Sequence, residues 1–176
     1  MIVPELQTER LVMRGFRDED LDAWAEICAD GEVTRWVGEG EHGLSREDAW
    51  RRMAYVVGHW ALRGYGNWAL LERDTGELVG RAGLLRPENW PGLEVGWLVA
   101  HSRWGRGYAP EAGRAAIDWA RDELGADHVI SLIEDANERS ARVAEKLGMR
   151  VEGRTRIVNG KYEVRIFGTD LGSPDS

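Results

Sequence analysis

The stretch from residue 67 to residue 100 constrains the fold of this chain most, because it holds three strand-like segments with no helix between them. Segments near 67–72 and 78–85 flank Asp74-Thr75-Gly76, and turn residues between two such runs are typical of a β-hairpin. A third segment follows at 93–100. A doubly wound nucleotide-binding fold requires regular alternation of strands and helices, so this run of strands argues against it.

The remaining elements are predicted from hydrophobic periodicity and from capping residues. In chain order they are a strand at about 9–15, a helix that starts at Asp18, a helix from the Ser45 and Asp48 capping box to about Leu62, a helix over 109–124, a strand over 128–133, and a helix from the Asn137 cap to Leu147, with Gly148 as its C-cap. Asn159-Gly160 between two alternating runs predicts a final hairpin. Antiparallel hairpins interleaved with helices indicate an α+β fold, with one or two strand pairs parallel across the helices.

Length and composition indicate one domain with one hydrophobic core. The chain has 176 residues, of which 43% are hydrophobic. We expect the domain to span residues 1–171, and residues 172–176 to form a disordered tail. The chain has no apolar run of about 18 residues, which predicts no membrane-spanning segment. The first residues lack a secretory signal pattern, and the single cysteine, Cys28, excludes a disulfide framework, so we expect a cytoplasmic protein.

The charge of the chain limits its partners. It carries 23 basic and 31 acidic residues, for a net charge of −8. An acidic chain repels nucleic acid unless its basic residues are clustered, so we expect no nucleic-acid partner. Small or cationic partners suit it better, for example an amine on a basic peptide. The four histidines, His42, His59, His101 and His128, lack ligand spacing and predict no metal site.

The nine tryptophans fall into groups with different expected roles. One group lies in helical patterns and is predicted to pack in the core: Trp24, Trp50, Trp60 and Trp119. A second group lies at strand ends or in loops, where aromatic side chains more often line pockets: Trp36, Trp90, Trp97 and Trp104.

The segment Trp104-Gly105-Arg106-Gly107-Tyr108-Ala109, between a strand and a long helix, has the composition of a phosphate-binding loop. Its glycines let successive N–H groups converge, and the helix that follows adds free amides and the positive end of its dipole. Arg103 and Arg106 add charge beside it. The alternative is a strand-to-helix turn without a ligand. The loop lacks the marks of an ATP-binding P-loop and of a dinucleotide fingerprint, so a phosphate here belongs to another kind of ligand.

Six segments together resemble the GNAT superfamily of N-acetyltransferases, in the family's order and spacing, over about Leu6 to Leu171. They are Thr8-Glu9-Arg10-Leu11, Gly76-Glu77-Leu78-Val79-Gly80, Glu94-Val95-Gly96-Trp97, Trp104 through Ala112, Asn137-Glu138-Arg139-Ser140, and Glu145-Lys146-Leu147-Gly148-Met149. Within the superfamily, the chain is most similar to the branch of the ribosomal-protein alanine and serine N-terminal acetyltransferases.

The resemblance implies a three-layer fold and a place for acetyl-CoA. The sheet would have seven strands, mostly antiparallel, would be splayed between strands four and five, and would carry about four helices. Acetyl-CoA would lie in that opening, with its pantetheine arm along the backbone of Leu98, Val99 and Ala100. Its pyrophosphate would contact the backbone at Arg106, Gly107, Tyr108 and Ala109, beside Arg103, Trp104 and Gly105.

The family pattern also implies roles for two residues at the start of the next helix. Asn137 matches the position that holds the pantetheine, and its alternative role is a simple N-cap. Many family members place a tyrosine about one turn later to protonate the departing thiolate, whereas here Ala144 lies one turn past Ser140. Ser140 is therefore our candidate proton donor. Its alternative is a hydroxyl that bonds back to a helix carbonyl.

Glu94 is the candidate general base, because it opens the fourth strand of the family's sheet, next to the expected splay. By strand alternation, Glu94, Gly96 and Leu98 face one side of the sheet. A solvated charge at a strand end is the alternative. Glu134, at the end of the next strand, is the second choice, and His101 the third. The Val99 N–H would polarise the thioester carbonyl.

The acceptor amine is predicted less sharply than the donor. The acceptor groove would be built from Trp36, the loop Gly38 to Gly43, Trp90 and the final hairpin, with Glu134 nearby. An N-terminal α-amine of a protein or peptide fits the branch resemblance, and a small amine such as an aminoglycoside, a polyamine or an amino-acid analogue is the alternative. A CoA-binding module without turnover stays open as a third reading. We expect a monomer or a homodimer.

Overall fold

The computed structural model describes residues 2–36 and 42–172. The strands are β1 (Leu6–Gln7), β2 (Leu11–Arg14), β3 (Asn67–Glu72), β4 (Leu78–Leu85), β5 (Glu94–Val99), β6 (His128–Ile133), β7 (Arg150–Ile157) and β8 (Tyr162–Asp170). The helices are α1 (Leu21–Ala29), α2 (Gly31–Thr34), α3 (Arg46–Arg63), α4 (Tyr108–Leu124) and α5 (Glu138–Lys146). The expected tail begins at the end of this part, and its last residues, 173–176, lie outside it.

The strands form one sheet in the order β1-β2-β3-β4-β5-β6-β8-β7. Every neighbouring pair is antiparallel except β5 and β6, which run parallel and share only the register pair Glu94 and Ile130. Beyond that pair the two strands diverge, so the predicted splay is confirmed. The described part has eight strands where seven were expected, because Leu6–Gln7 adds a two-residue edge strand beside β2.

Helices cover both faces of the sheet. α4 packs on β4 and β5, and α5 packs on α4 and β6, whereas α1 packs on α3 and β4. The buried residues of β5 divide between the two faces of the sheet in the same way. Val95 and Val99 join the larger buried cluster with α4, and Leu98 joins the smaller cluster with α1 and α3. The expected α+β layers are confirmed, with the four-residue α2 as a helix beyond the four expected.

Capping residues and turn glycines in the sequence predicted most element ends to within one or two residues of their positions in the structure. The Ser45 hydroxyl accepts a hydrogen bond from the Asp48 N–H at 3.1 Å, which starts α3 as predicted. The helix ends at Arg63, one residue beyond the expected end, and Gly64, with φ of 76°, is its C-cap. Gly148, with φ of 83°, follows α5 in the left-handed conformation that an L side chain disfavours. In the described part, no helix is both long and apolar enough to cross a membrane.

A cluster of three tryptophans fastens α3 and α4 to the sheet. The rings of Trp60, Trp68 and Trp119 meet edge to face, with centroids 4.9, 5.3 and 5.9 Å apart. Trp24 is also buried, so the predicted packing role is confirmed for Trp24, Trp60 and Trp119. For Trp50 it is wrong, because 49% of that residue is exposed. α3 buries residues 49, 53, 56 and 60, and position 50 lies about 100° off that stripe.

The tryptophan cluster gives a stability test with an internal control. We expect Trp68→Ala to lower the free energy of unfolding by about 3–5 kcal/mol, because it leaves a large cavity at a fully buried position. Trp50→Ala removes the same side chain from an exposed position and should change the free energy of unfolding by less than about 1 kcal/mol. Urea denaturation followed by circular dichroism measures both. Equal losses in the two variants would contradict the packing described above.

Candidate functional site

A cavity of about 900 Å³ opens where β5 and β6 diverge. Its wall combines β4, β5, the loop before α4, the end of β6, α5, α3 and the final hairpin. Of the predicted site residues, the wall includes Trp36, Trp90, Glu94, Leu98, Val99, Arg103, Trp104, Gly105, Gly107, Tyr108, Ala109, Glu134, Asn137 and Ser140. Ala100 and Arg106 are not part of it. All four tryptophans predicted to line a pocket, Trp97 included, do so.

The edge of β5 presents backbone groups to this cavity. The Ala100 N–H donates to the Val79 carbonyl at 2.8 Å, and groups on an antiparallel strand alternate in direction. The N–H of Val99 therefore points away from β4, into the gap. The Val99 carbonyl accepts from the Trp104 indole at 2.8 Å. Of Leu98, Val99 and Ala100, only Val99 offers a backbone donor here, since the N–H groups of Leu98 and Ala100 point toward β4.

The loop before α4 forms a concave row of amide donors. Gly105 and Gly107 have φ of 77° and 87°, a conformation that glycine adopts without strain. α4 begins at Tyr108, and the first N–H groups of a helix have no partner within it. Within the described ranges, no hydrogen bond uses the N–H of residues 105–109. The row has the shape and polarity that a phosphate group requires.

A buried carboxylate supports this loop from below. Glu72 accepts a hydrogen bond from the Tyr108 hydroxyl at 2.6 Å, and that bond lowers the pKa of Glu72. Arg103 Nε lies 3.0 Å from Glu72 without the alignment of a hydrogen bond, and Arg103 Nη2 donates to Glu77 at 2.6 Å. The Arg103 side chain, predicted to face a phosphate, is thus held by two carboxylates. The Arg106 guanidinium is half-exposed and 3.9 Å from Glu72.

A second carboxylate ties the first turn of α4 to the start of the chain. Glu111 accepts from the Thr8 hydroxyl at 2.6 Å, from the Arg10 N–H at 2.8 Å and from Arg10 Nε at 2.7 Å. Arg10 Nη1 also donates to the Arg106 carbonyl at 2.6 Å. The segment Thr8 to Leu11 therefore positions the loop from outside. Sequence reasoning found this segment without finding what it contacts.

Glu94 lies at the point where the sheet divides. It pairs with Leu85 on one side and with Ile130 on the other, and its carboxylate faces the cavity. Burial raises the pKa of Glu94 to about 7, against the opposing effect of a hydrogen bond from the Trp90 indole at 2.6 Å. A carboxyl with this pKa can accept or release a proton near neutral pH. Trp90 thus orients Glu94, a contact that the sequence did not indicate.

The start of α5 contributes polar groups to the opposite wall. The Asn137 side chain accepts from the Ser140 N–H at 3.2 Å, so the N-cap role is present. The hydroxyl of Ser140 makes no hydrogen bond to the residues that the structure describes, so its alternative, a bond back to a helix carbonyl, is absent. Sequence reasoning missed three cations on the same wall: Arg139, Arg142 and Lys146. Their spacing of three and four residues, which predicts one helix face, was the available signal.

The remaining predicted residues lie around the acceptor side. Burial raises the pKa of Glu134, and Trp36 lies 5.4 Å from the Arg35 guanidinium. The loop Gly38 to Gly43 falls largely on residues 37–41, outside the described part. His101 pairs with Asp30 at 3.1 Å and is not on the cavity wall. Within the described ranges, residues 2–36 and 42–172, no group of three or more His, Cys, Asp or Glu side chains is placed to hold a metal ion.

The backbone N–H groups and cations on the cavity wall fit an extended ligand with phosphates at one end. The amide row at residues 105–109 suits the phosphates, the free edge of β5 at Val99 suits an amide-bearing arm, and the α5 cations line the same cavity. Arg139 stacks on Trp104 at 3.6 Å from the ring centroid, which places its charge beside the loop. A pantetheine phosphate such as that of acetyl-CoA has this sequence of groups.

Comparison with known proteins agrees with this fit. Residues 10–150 match the family model described as the acetyltransferase (GNAT) domain. The protein YkkB of Bacillus subtilis is 40% identical over an alignment that spans 49% of this chain and 53% of that protein. The uncharacterized N-acetyltransferase p20 of Bacillus licheniformis is 27% identical over 86% of this chain and 85% of its own length.

Solved structures show the same fold. An acetyltransferase from Agrobacterium tumefaciens superposes with a TM-score of 0.83 at 28% identity, over 96% of this chain and 95% of its own. The ribosomal L7/L12 α-N-protein acetyltransferase RimL, solved with coenzyme A, superposes with a TM-score of 0.75 at 17% identity, over 97% and 98% of the two chains, and shows the fold alone. Since the family model covers most of the chain, this protein belongs to the GNAT acetyltransferase family and is an acyltransferase.

Proposed function

We propose that this protein transfers the acetyl group of acetyl-CoA directly to a primary α-amine, as found at the N-terminus of a peptide or protein. The observation that carries the proposal is the position of Glu94. This carboxyl, with a pKa of about 7, lies on the strand whose free edge offers the Val99 N–H to the same cavity. A proton acceptor and a carbonyl-polarising donor thus lie on one strand, beside a phosphate-shaped loop.

The donor end of the cavity binds acetyl-CoA, which supplies a thioester. The free amides of residues 105–109 hold its pyrophosphate, and Arg139, Arg142 and Lys146 add positive charge. The Val99 N–H donates to the thioester oxygen and stabilises the negative charge that develops there during attack. Asn137 uses its side-chain oxygen for the helix cap, so its amide N–H groups stay available for the pantetheine.

Glu94 prepares the amine. Ionised Glu94 takes the proton of the ammonium group through one water, and the neutral nitrogen then attacks the carbonyl carbon. The C–N bond forms as the C–S bond breaks, and the Ser140 hydroxyl gives its proton to the departing thiolate and regains one from solvent. An α-amine has a pKa of about 8 and a lysine about 10.4, so a base with a pKa near 7 deprotonates the former at much lower cost.

A small amine is the second candidate acceptor, and one observation favours it. Three arginines that sequence reasoning did not identify, Arg51, Arg52 and Arg81, also line the cavity. The basic peptide suggested by the net charge would place its cations against them. An acceptor that itself carries an anion suits these arginines better.

Acetyl-CoA binding tests the donor site. We expect millimolar acetyl-CoA to raise the melting temperature by ligand linkage, with a dissociation constant in the micromolar range. Gly107→Glu should abolish the shift, because a carboxylate would occupy the phosphate position. Gly125→Glu is the matched control, since Gly125 ends the same helix with φ of 62° and open space around it. A normal shift in folded Gly107→Glu would assign the loop a purely structural role.

The pH dependence of turnover tests Glu94. The wild-type rate should rise with pH as Glu94 ionises near 7 and level off as the amine becomes neutral near 8. Glu94→Gln should lose about 10²–10⁴-fold in rate at pH 7, and the defect should shrink above pH 8, because free amine requires no base. An unchanged pH profile in Glu94→Gln would show that Glu94 is not the general base. Glu134 would then be the candidate, or the reaction would use no base from the protein.

Ser140→Ala separates proton donation from binding. It should lower kcat by about 10²-fold or more and leave the acetyl-CoA dissociation constant unchanged, because the hydroxyl acts on the leaving group only. Ser102→Ala is a suitable control, since Ser102 is exposed and lies outside the cavity wall. If Ser140→Ala kept the wild-type kcat, water or a backbone donor, and not Ser140, would protonate the departing thiolate.

A further inference from the structure

The strand face that carries Glu94 has a gap in its side chains. By strand alternation, Glu94, Gly96 and Leu98 share one face of β5, and all three line the cavity. The register partner of Gly96 on β4 is Gly83, so neither residue of this pair places a side chain on the sheet. A pair of glycines therefore separates Glu94 from Leu98 along this face.

The fold itself does not require a glycine at position 96. A Cβ built on Gly96 would meet, apart from its chain neighbours, only the Glu94 Oε1 within 4 Å, and that contact of 3.9 Å is ordinary van der Waals distance. Gly96 is also absent from the glycines with positive φ, so an L side chain causes no backbone strain there. Glycine weakens the interior of a strand, and one reason for its use is a group that approaches the backbone closely. The open space over Gly96 therefore suits a group that enters the cavity.

The two oxygens of the Glu94 carboxylate have different surroundings. Oε2 accepts a hydrogen bond from the Trp90 indole at 2.6 Å, whereas Oε1 is the oxygen that lies next to the space over Gly96. Trp90 lies in the loop between β4 and β5, where its backbone N–H donates to the Pro87 carbonyl at 3.2 Å. Gly96 separates Glu94 from Val99 on β5, and the Val99 N–H points into the gap. A proton that comes from the Val99 end of the strand thus meets Oε1.

We propose that the proton released by the acceptor amine travels over Gly96 to Oε1 of Glu94, and that Gly96 and Trp90 are the positioning residues of this path. The inference rests on the proposed function and deepens it. A water over Gly96 gives one proton to Oε1 and takes one from the ammonium group, which leaves a neutral amine, a water and a carboxylic acid. Glu94 later returns the proton to solvent. The water has two polar partners in Oε1 and the ammonium group, and a methyl on residue 96 would occupy its place.

Several elements act on the charge of Glu94. Burial raises its pKa to about 7, and three contacts oppose this effect: the Trp90 indole from the loop, the Leu132 N–H from β6 and the Arg81 charge from β4. Tyr55 on α3 also faces Glu94, since burial and then the Glu94 charge raise the pKa of this phenol. Of these contacts, Trp90→Phe removes only the indole donor, and Gly96→Ala removes none.

Gly96→Ala tests the path, with CoA release from acetyl-CoA and peptides that have a free N-terminal α-amine as the assay. The methyl should lower kcat at pH 7 by about 10-fold or more, and the loss should shrink above pH 8, where free amine requires no base. The melting temperature and the acetyl-CoA dissociation constant should stay at their wild-type values. Gly153→Ala is the matched control, because Gly153 lies on β7, outside the cavity wall, with nothing within 4 Å of a built Cβ. It should keep the wild-type kcat at every pH.

A double-mutant cycle separates a blocked proton path from a blocked acceptor. If the methyl acts on the path alone, Gly96→Ala should have almost no further effect in the Glu94→Gln enzyme, because that enzyme has no carboxylate for the path to reach. A methyl that obstructs the acceptor itself should lower the rate by the same factor in both backgrounds. Equal factors would overturn the inference.

Trp90→Phe tests the hold on Oε2 and keeps an aromatic ring in the loop. A hydrogen bond to the ionised carboxylate lowers its pKa, so without it the pKa of Glu94 should rise further. The rising limb of kcat against pH should then move to higher pH by about one unit, the effect of one hydrogen bond to a charged group. Trp50→Phe, at an exposed position outside the cavity wall, is the control. A uniform loss of kcat with an unmoved limb would give Trp90 a structural role only.

A titration of the Glu94 carboxyl by NMR requires no acceptor. Its midpoint should lie at about pH 7 in wild type and about one unit higher in Trp90→Phe. An unshifted midpoint in Trp90→Phe would contradict the part of the inference that concerns Trp90.

The inference and the proposed function fail in different ways. If no primary amine is acetylated, or if Glu94→Gln has the wild-type pH profile, the proposed function loses its acceptor or its base, and the path fails with it. If Glu94→Gln shows the expected defect but Gly96→Ala matches wild type at every pH, the inference alone is overturned.

Discussion

The separation of β5 from β6 is the constraint on which the rest of the molecule depends. Only one register pair, Glu94 with Ile130, joins the two strands. Beyond that pair, the polar backbone edge of β5 lacks a strand partner, and an unpaired edge is costly to bury without hydrogen bonds. Helices α4 and α5 keep the gap from closing because their side chains pack in the larger cluster on one side of it. The sheet therefore holds open a slot that has the hydrogen-bonding pattern of a missing strand.

Buried or half-buried charged groups lie along this slot and behind the loop at α4, and they differ in how fully their hydrogen bonds are satisfied. Glu72 and Glu111 are fully engaged by donors and support the loop at α4. Glu94 accepts too few hydrogen bonds to offset its burial, so its pKa is raised to about 7. Arg81 donates to the side-chain oxygen of Asn67. The satisfied groups give the site its rigidity, whereas Glu94, whose hydrogen bonds do not offset its burial, is the carboxylate to which we assign substrate contact.

Sequence patterns predicted the elements and the loop at α4 because each depends on local spacing or on a run of glycines, whereas the splay was implied only by the family resemblance. They also placed Glu94 and Ser140 on the cavity wall. Trp50 was misassigned because helical periodicity alone does not mark where the buried stripe ends. Arg81 was missed because its hydrogen-bond partner, Asn67, comes from the neighbouring strand, 14 residues away. The Trp90 contact with Glu94 was missed although only four residues separate the two, because Trp90 lies in a loop that has no regular side-chain spacing. The commitment of Arg103 to Glu72 and Glu77 depends on contacts 31 and 26 residues away, which no local pattern encodes.

The Glu111 contacts bear on the order in which the protein becomes competent. Thr8 and Glu111 are 103 residues apart in sequence. Bringing such distant segments together costs loop-closure entropy, so this contact depends on much of the chain already being organised. Until the first strands dock, Glu111 lacks the three donors that orient the opening turn of α4. The loop therefore reaches its final conformation only when the amino-terminal edge of the sheet has docked, and a nascent chain would form the surface that we propose for phosphate binding after much of its sheet has assembled.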